Sequence, residues 1–598
     1  MKPCSSFFGK ALFALALLSL VVPMPTHAGA QANRSSAADK DRNGPPDPCE
    51  QALTAKGKAK GLHERCGISS GGGAARGDFN GDMIADLVIG VPYEDGNGVN
   101  AVGSINVLYG SADGLTTVDQ VFDMTTFGYT YQSKSHFGLA LAAGNFNVDT
   151  YSDLAIGMPD YDGGCGRVLL IDGSANGLDA STARTLPDLA PCGRTGLALV
   201  WADFNGDTVG DLAVGSPNDP ANGDGLFCVG GRVSQAGTVR VYYGGATGLT
   251  TFGLQLFQQG GCRSRGGEIR IGDSPEQDDH FGYSLAAGNF DGDAFADLVI
   301  GVPFEDLALF DKQDAGLIHV LKGSVDGLAS RGSSQIISQD TEHRLANGST
   351  FTVAGVAESG DLFGSVFATL RRASGHDDLF AGIPFEDVGT TVDAGAVQFF
   401  KGGYNSTLPG GVIDTGSTDV IFDQGDLAGV AVEEGDLMGW ALAVGDFDGD
   451  GAPDLAIGVP EEDTNSNTIA DAGLVTVLYN PFIATGRHIG FTRMEHWTQD
   501  TNRPDPVPGS NEPGDHFGYA LSSWNYGRGT ESDLAIGIPF KNIRSASTGT
   551  FQANAGAVIV LYGSGSGLTS TGADFWHQDR DGIMGVAEPG DRFGNRLY

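Results

Sequence analysis

Basic residues are scarce in this chain: 35 Lys and Arg stand against 74 Asp and Glu, a formal charge of −39 over 598 residues. That balance argues against nucleic acid as a partner, because phosphate binding requires a basic patch that releases counterions. Anionic membrane surfaces are disfavoured for the same reason. Long apolar runs are also scarce. The stretch from Ala11 to Val22 is too short to span a bilayer, and no later stretch is long enough, so no membrane span is expected. Sustained helical periodicity is missing. C-x-x-C, H-E-x-x-H, a Walker loop and a dinucleotide fingerprint are missing too. Their absence argues against a zinc knuckle, a thioredoxin-type redox site and the common nucleotide sites.

What is present begins with Lys2 and Lys10, the apolar run, Pro23 and Pro25, and small residues at Ala28, Gly29, Ala30 and Ala32. This is the order of a secretory signal peptide, expected over residues 1–32 with cleavage after Ala28 or Ala32. A polar leader or linker is expected over 33–69. Cys4 leaves with the signal, and six cysteines remain: Cys49, Cys66, Cys165, Cys192, Cys228 and Cys262. An even number in an exported chain points to disulfides; the simplest of the 15 pairings is sequential, and free buried thiols are the alternative. Apolar content of 40% supports a packed core, so the acidity does not mean disorder. Glycine, at 93 residues, is about twice its usual share, without a collagen period.

From residue 70 the chain repeats one pattern. The clearest copy starts His280-Phe281-Gly282 and passes through the acidic run Asn289 to Asp297. It continues Leu298-Val299-Ile300-Gly301-Val302-Pro303 and, after a variable loop, Ala315-Gly316 and Leu317 to Leu321. The aspartate ending the acidic run recurs at Asp86, Asp153, Asp211, Asp297, Asp378, Asp454 and Asp533, with steps of 58 to 86 residues. The apolar segments are short, β-branched and aromatic-rich, and bounded by Gly, Asn, Asp or Pro, which is a strand signature. About four strands fall in each unit. A single four-stranded antiparallel sheet cannot bury both faces, whereas seven packed radially can. The expectation is an all-β, seven-bladed β-propeller of four-stranded antiparallel blades over residues 70–598, with a linear β-solenoid as runner-up.

The motifs make the resemblance specific. With Phe137-Gly138, Phe281-Gly282, Phe363-Gly364 and Phe517-Gly518, each followed by Gly-x-Pro, the chain resembles the FG-GAP repeat family. The best-known fold of that family is the propeller of integrin α subunits. Gly196 and Met438-Gly439 depart from the pattern. In the first copy Ser70-Gly71 stands where Phe-Gly is expected. The chain ends at Gly590 to Tyr598, the start of an eighth unit, which is expected to pair with the first or last blade and help close the ring.

The acidic runs carry the most visible chemistry. Asp446, Asp448, Asp450 and Asp454 hold positions 1, 3, 5 and 9 of their loop, and Ala452 at position 7 can add a backbone carbonyl. A hard cation such as Ca²⁺ takes six to eight oxygens of these kinds at about 2.3–2.6 Å. Four other loops keep enough oxygens, each with its own position-7 residue. They are Asp78, Asn80, Asp82, Ile84 and Asp86; Asn145, Asn147, Asp149, Tyr151 and Asp153; Asp203, Asn205, Asp207, Val209 and Asp211; and Asn289, Asp291, Asp293, Phe295 and Asp297. The Asn145 loop carries least charge and should bind most weakly. The fifth unit has Leu370-Arg371-Arg372 instead, where an arginine could replace the cation, and the seventh keeps only Asn525 and Asp533. About five calcium sites are expected, with a structural role; solvated turns are the alternative. The resemblance implies the same use, since calcium sits in such loops of integrin-type propellers.

Three other signals are set aside. Arg76-Gly77-Asp78 spells an adhesion tripeptide, but Asp78 is already the first predicted ligand of its loop. Gly67-Ile68-Ser69-Ser70-Gly71 lacks the strand and helix that a nucleophile elbow needs. Glu94-Asp95, Glu305-Asp306, Glu386-Asp387 and Glu461-Glu462-Asp463 recur after Gly-x-Pro, and recurrence favours turn or rim structure over a single catalytic pair. The expected function is a secreted or extracytoplasmic, calcium-binding, integrin-α-like module that binds an extracellular protein or glycan and is not an enzyme. The alternatives are an exported hydrolase that uses the propeller as scaffold and a structural envelope or matrix protein.

Overall fold

The short apolar segments fold into seven sheets of four or five strands, with four two-stranded sheets besides among the described residues. The structure is a computed structural model. It describes residues 77–598 apart from 188–191, 223–230, 261–267, 308–311, 329–333, 340–341, 345–349, 374, 404–412, 465–467, 486, 502–504 and 546–548. The expected signal peptide and leader, Ser70-Gly71, Cys49, Cys66, Cys228 and Cys262 lie outside the described residues. Among the described residues no helix is long and apolar enough to cross a membrane.

Blade 2 shows the plan. Strands Ala140–Gly144, Asp153–Met158, Arg167–Asp172 and Asp179–Thr185 pair antiparallel in chain order. The second strand is buried along its whole length, as are the corresponding strands Asp297–Val302, Asp454–Val459 and Asp533–Ile538. This is why these segments read as unbroken apolar runs rather than alternating ones. The first strands of successive blades touch one another in a closed cycle, so they line the axis of a seven-bladed propeller. Blade 3 departs from four strands: Glu268–Ile271 adds a fifth, parallel to Thr250–Gln259.

Glycine makes the seams between blades. In blade 7, a Cβ on Gly537 would meet the carbonyl oxygen of Gly594 at 2.2 Å. The equivalent distances at Gly90, Gly157, Gly215, Gly301, Gly382 and Gly458 run from 2.0 to 2.5 Å, each to a carbonyl of the next blade. No side chain fits there. The same seams are tied by backbone bonds, such as Phe281 N–H to Ala236 O (3.0 Å) and Phe517 N–H to Ala472 O (2.9 Å). At the seam of blades 2 and 3 the Cys165 carbonyl takes the N–H of Thr195, and the Cys165–Cys192 disulfide reinforces that junction.

Blade 1 takes its first strand from the other end of the chain. Arg596–Leu597 pairs antiparallel with Leu87–Val91, with Leu597 opposite Ile89. Tyr598 and Val88 exchange backbone bonds of 2.9 and 3.0 Å, and Phe593 N–H reaches Ala555 O of blade 7 at 2.8 Å. The eighth half-unit is therefore the missing opening of the first. Phe593-Gly594 fills the position to which the sequence reading assigned Ser70-Gly71, because blades and sequence repeats are out of phase by one strand.

Candidate metal-binding loops

Each acidic run leads into the second strand of its blade, and in blades 2 to 7 is the turn from the first strand, so all lie at one end of the propeller. The closing aspartate of each run is buried and, in every blade but the fifth, accepts two backbone amides. Asp86 takes Phe79 N–H at 2.8 Å and Gly110 N–H at 3.0 Å. Asp454 takes Phe447 N–H at 2.8 Å and Asn480 N–H at 2.9 Å. Asp153, Asp211 and Asp297 repeat the arrangement. Asp533 repeats it too, in a loop that keeps only Asn525 of the other ligands. The position-9 aspartate is thus first a fastener between its own loop and the turn after the third strand. Spacing alone could not show this role. Each carboxylate oxygen has two lone pairs, so one amide bond apiece leaves capacity for a cation.

The rest of each loop is organised by its own side chains. In blade 1, Asp78 accepts the N–H groups of Gly81 (2.7 Å), Asp82 (3.1 Å) and Met83 (2.8 Å). Blade 3 repeats this with Asp203 and the amides of Gly206, Asp207 and Thr208. In all five loops the position-7 amide donates to the position-5 aspartate: Ile84 to Asp82, Tyr151 to Asp149, Val209 to Asp207, Phe295 to Asp293 and Ala452 to Asp450. Asn145 and Asn147 play the same turn roles in blade 2 through their amide oxygens, and Asn80 and Asn205 each accept the N–H of the position-5 aspartate. Met83, Val148 and Thr208 sit at φ of 70 to 72°, a left-handed conformation that is costly for β-branched residues.

Blade 6 comes nearest to a finished site. Oxygens of Asp446, Asp448 and Asp454 lie within 4.8 Å of one another. Two ligands on one Ca²⁺ at about 2.3–2.6 Å can stand no farther apart than roughly 5 Å, so these three fit the ion. Burial and the neighbouring aspartates push Asp454 up to about 8, Asp211 to about 8 and Asp153 to about 7. Asp86 and Asp297 are raised well above the ordinary carboxylate range by the same causes. Such clustered carboxylates are stable as anions only with positive charge beside them.

Three blades supply some of that charge from the chain; in blade 6 itself Arg493 Nη2 lies 3.5 Å from Asp448. In blade 5, Arg372 Nε bonds Asp378 at 2.6 Å, while Gly402 N–H holds the other oxygen at 2.8 Å. In blade 4, Lys322 Nζ bonds Asp291 and lies 3.2 Å from Asp293. Lys322 follows the third strand, Leu317–Leu321, and reaches this loop because that strand ends against it. Sequence spacing gave no sign of it.

The opposite end carries aromatic rings from the Gly-x-Pro turns and the starts of the first strands. Arg592 lies 4.4 Å from the Tyr93 ring centre and 4.7 Å from that of Phe540. Phe540 packs on Tyr519 at 5.7 Å, Tyr519 on Trp440 at 5.3 Å, and Trp440 on Phe385 at 6.4 Å. All of these side chains are partly exposed. They make a continuous arc over blades 1, 7, 6 and 5 beside the axis.

The FG-GAP repeat model matches residues 281–321 and 438–478. Among characterised proteins, the chain is 33% identical over 177 residues to phosphatidylinositol-glycan-specific phospholipase D of Bos taurus, covering 28% of this chain and 20% of that one. It is 29% identical over 242 residues to integrin alpha-PS2 of Drosophila melanogaster, covering 38% and 15%. It is 26% identical over 325 residues to integrin alpha pat-2 of Caenorhabditis briggsae, covering 51% and 22%. The chain thus spans about a fifth of the length of the relatives it matches.

Proposed function

From FG-GAP repeats closed into an integrin-α-like propeller, we propose a secreted, calcium-stabilised binding module that engages an extracellular protein or glycan. The aromatic arc carries this reading. Tyr93, Phe540, Tyr519, Trp440 and Phe385 offer flat, partly exposed rings with little conformational entropy to lose, the surface on which sugars and protein side chains stack. Innermost strands and Gly-x-Pro turns position them, so the platform is as rigid as the ring.

Calcium acts at the other end. The Asp78, Asn145, Asp203 and Asp446 loops would hold it through their position 1, 3, 5 and 9 oxygens, neutralising carboxylates and relieving the cost of the left-handed residues. In the Asn289 loop an ion would have to displace Lys322. The fastening amides mean that calcium adds to a preformed turn. Export places the chain where free calcium is plentiful, in keeping with the extracellular character of the integrin relatives.

The test is retention of the wild type and of a Trp440→Ala/Tyr519→Ala variant on an immobilised glycan panel and on extracellular matrix extract, each with calcium. Binding lost in the variant, at unchanged melting temperature, supports the arc; equal retention refutes it. The phospholipase likeness favours a second reading, a propeller serving as scaffold for a hydrolase. Turnover of phospholipid or glycan by the purified chain would establish that reading instead.

A further inference from the structure

Four of the seven seams bury a repeated acid–amide group. Gln259 Nε2 donates to Glu305 at 2.8 Å, Gln339 to Glu386 at 2.7 Å, Gln424 to Glu462 at 2.7 Å and Gln578 to Glu94 at 2.5 Å. In each case the glutamine ends or follows the fourth strand of one blade and the glutamate follows Gly-x-Pro of the next. Beside each glutamate lies a second acid, Asp279, Asp361, Asp436 or Asp591, at most 2% exposed. It accepts the amide of the residue three before it: Glu276, Glu358, Glu433 or Glu588.

Two observations show what this group lacks. The Oε1 atoms of Gln259, Gln339, Gln424 and Gln578 are buried and, among the described residues, accept no hydrogen bond. Each amide already donates to its glutamate, so the neighbouring carbonyl needs a donor from the same carboxyl. Only the protonated acid has one. At the seam of blades 6 and 7 the glutamate position holds Lys541, whose ammonium bonds Asp515 at 2.8 Å and lies 3.7 Å from Glu512. The position carries positive charge where the chain supplies it.

We propose that the four glutamates carry a proton in the folded protein, each closing a two-point acid–amide pair with its glutamine, so that the seams form a proton-held lock that loosens as pH rises.

The other charged groups facing these acids are mostly acidic. They are Glu358 and Asp387 at Glu386, Glu433 and Asp463 at Glu462, Asp273 and Glu276 at Glu305, and Glu588, Asp95 and Asp123 at Glu94; Asp306 faces Asp279 and Lys312 faces Asp361. Burial first, and these neighbours second, push Glu94 up to about 7 and Glu386 and Glu462 to about 8, with Glu305 raised in the same direction. The folded protein therefore binds protons that the unfolded chain, titrating in the ordinary carboxylate range, does not. The lock's contribution is complete in acid and is lost as pH rises through about 7 to 8.

The experiment follows melting temperature from about pH 5 to about pH 9 in saturating calcium, which holds the loop carboxylates ionised. It compares wild type with a variant combining Glu94→Gln, Glu305→Gln, Glu386→Gln and Glu462→Gln, a neutral mimic of the protonated acid. Wild type should lose several degrees on the alkaline side, and the variant should keep them. Equal slopes overturn the proposal. Infrared titration of wild type beside the single variants Glu94→Gln, Glu305→Gln, Glu386→Gln and Glu462→Gln supplies a reading that does not depend on the fourfold variant folding: each substitution should remove part of the protonated-carboxyl band seen at neutral pH, and a band unchanged in all four refutes the lock. If the variant instead binds fewer divalent ions than wild type, the seams hold metal and the proton assignment is wrong.

Discussion

Replacing Asp533 tests whether the recurring aspartate fastens backbone or serves only metal. Its blade 7 loop keeps only Asn525 of the other ligands, yet its carboxylate accepts Tyr526 N–H and Gly563 N–H, both at 2.8 Å, and is 1% exposed. Asp533→Ala leaves two buried amides without acceptors. Each costs about 1–3 kcal/mol, so the loss is roughly 2–6 kcal/mol, reduced by whatever burial of the carboxylate costs in wild type. Asp533→Asn keeps one acceptor oxygen and turns a donor toward the other amide, so it should lose about half as much. Urea unfolding with chelator and with excess calcium measures both. The shift in midpoint should be the same in the two conditions, since this loop binds no ion in our reading. Asp454→Ala should show the same chelator-insensitive loss and a further one in calcium. An Asp533→Ala protein as stable as wild type would refute the fastener argument. A loss seen only in calcium would show that the residue is a ligand after all.

Three further outcomes are expected. Truncation before Gly590 removes the strand opposite Leu87–Val91 and the Phe593–Ala555 bond; the melting temperature should fall sharply, and an unchanged value would show that the ring does not depend on this closure. Calcium should raise the melting temperature over chelator by an amount set by occupancy, about 2.7 kcal/mol per site at a hundredfold excess over Kd. Lys322→Ala should add one bound ion to the stoichiometry measured by equilibrium dialysis, and an unchanged count would mean that blade 4 cannot bind calcium even without its lysine.

The sequence carried the blade count because Asp86 through Asp533 mark one turn per blade, and turn chemistry is local. It carried the strands because their residues are buried on both faces and read as short apolar runs. It could not show that Lys322 reaches Asp291, since that contact needs the third strand to end beside a turn some thirty positions earlier. Nor could it show that Glu386 meets Gln339, which lies in the preceding blade. The glutamates were visible as a recurrent feature after Gly-x-Pro, and recurrence correctly pointed to turn structure: Asp95, Asp387 and Asp463 accept loop amides. The partner of each glutamate is a product of ring geometry. The first copy lacks a Phe-Gly opening for a related reason: the expected pairing of the Gly590 to Tyr598 segment is found on Leu87–Val91, and that segment carries Phe593-Gly594.

The borrowed strand of blade 1 has a consequence for how the protein comes to exist. Leu87–Val91 emerges early in synthesis and Arg596–Leu597 some five hundred residues later. Until that later segment is made, the first blade presents an unpaired inner edge to whatever is nearby, a natural template for wrong pairing. A strand made some five hundred residues later decides whether the first blade is usable, much as a keystone does. A circularly permuted gene that begins just ahead of Gly590 would make that blade contiguous and remove the wait.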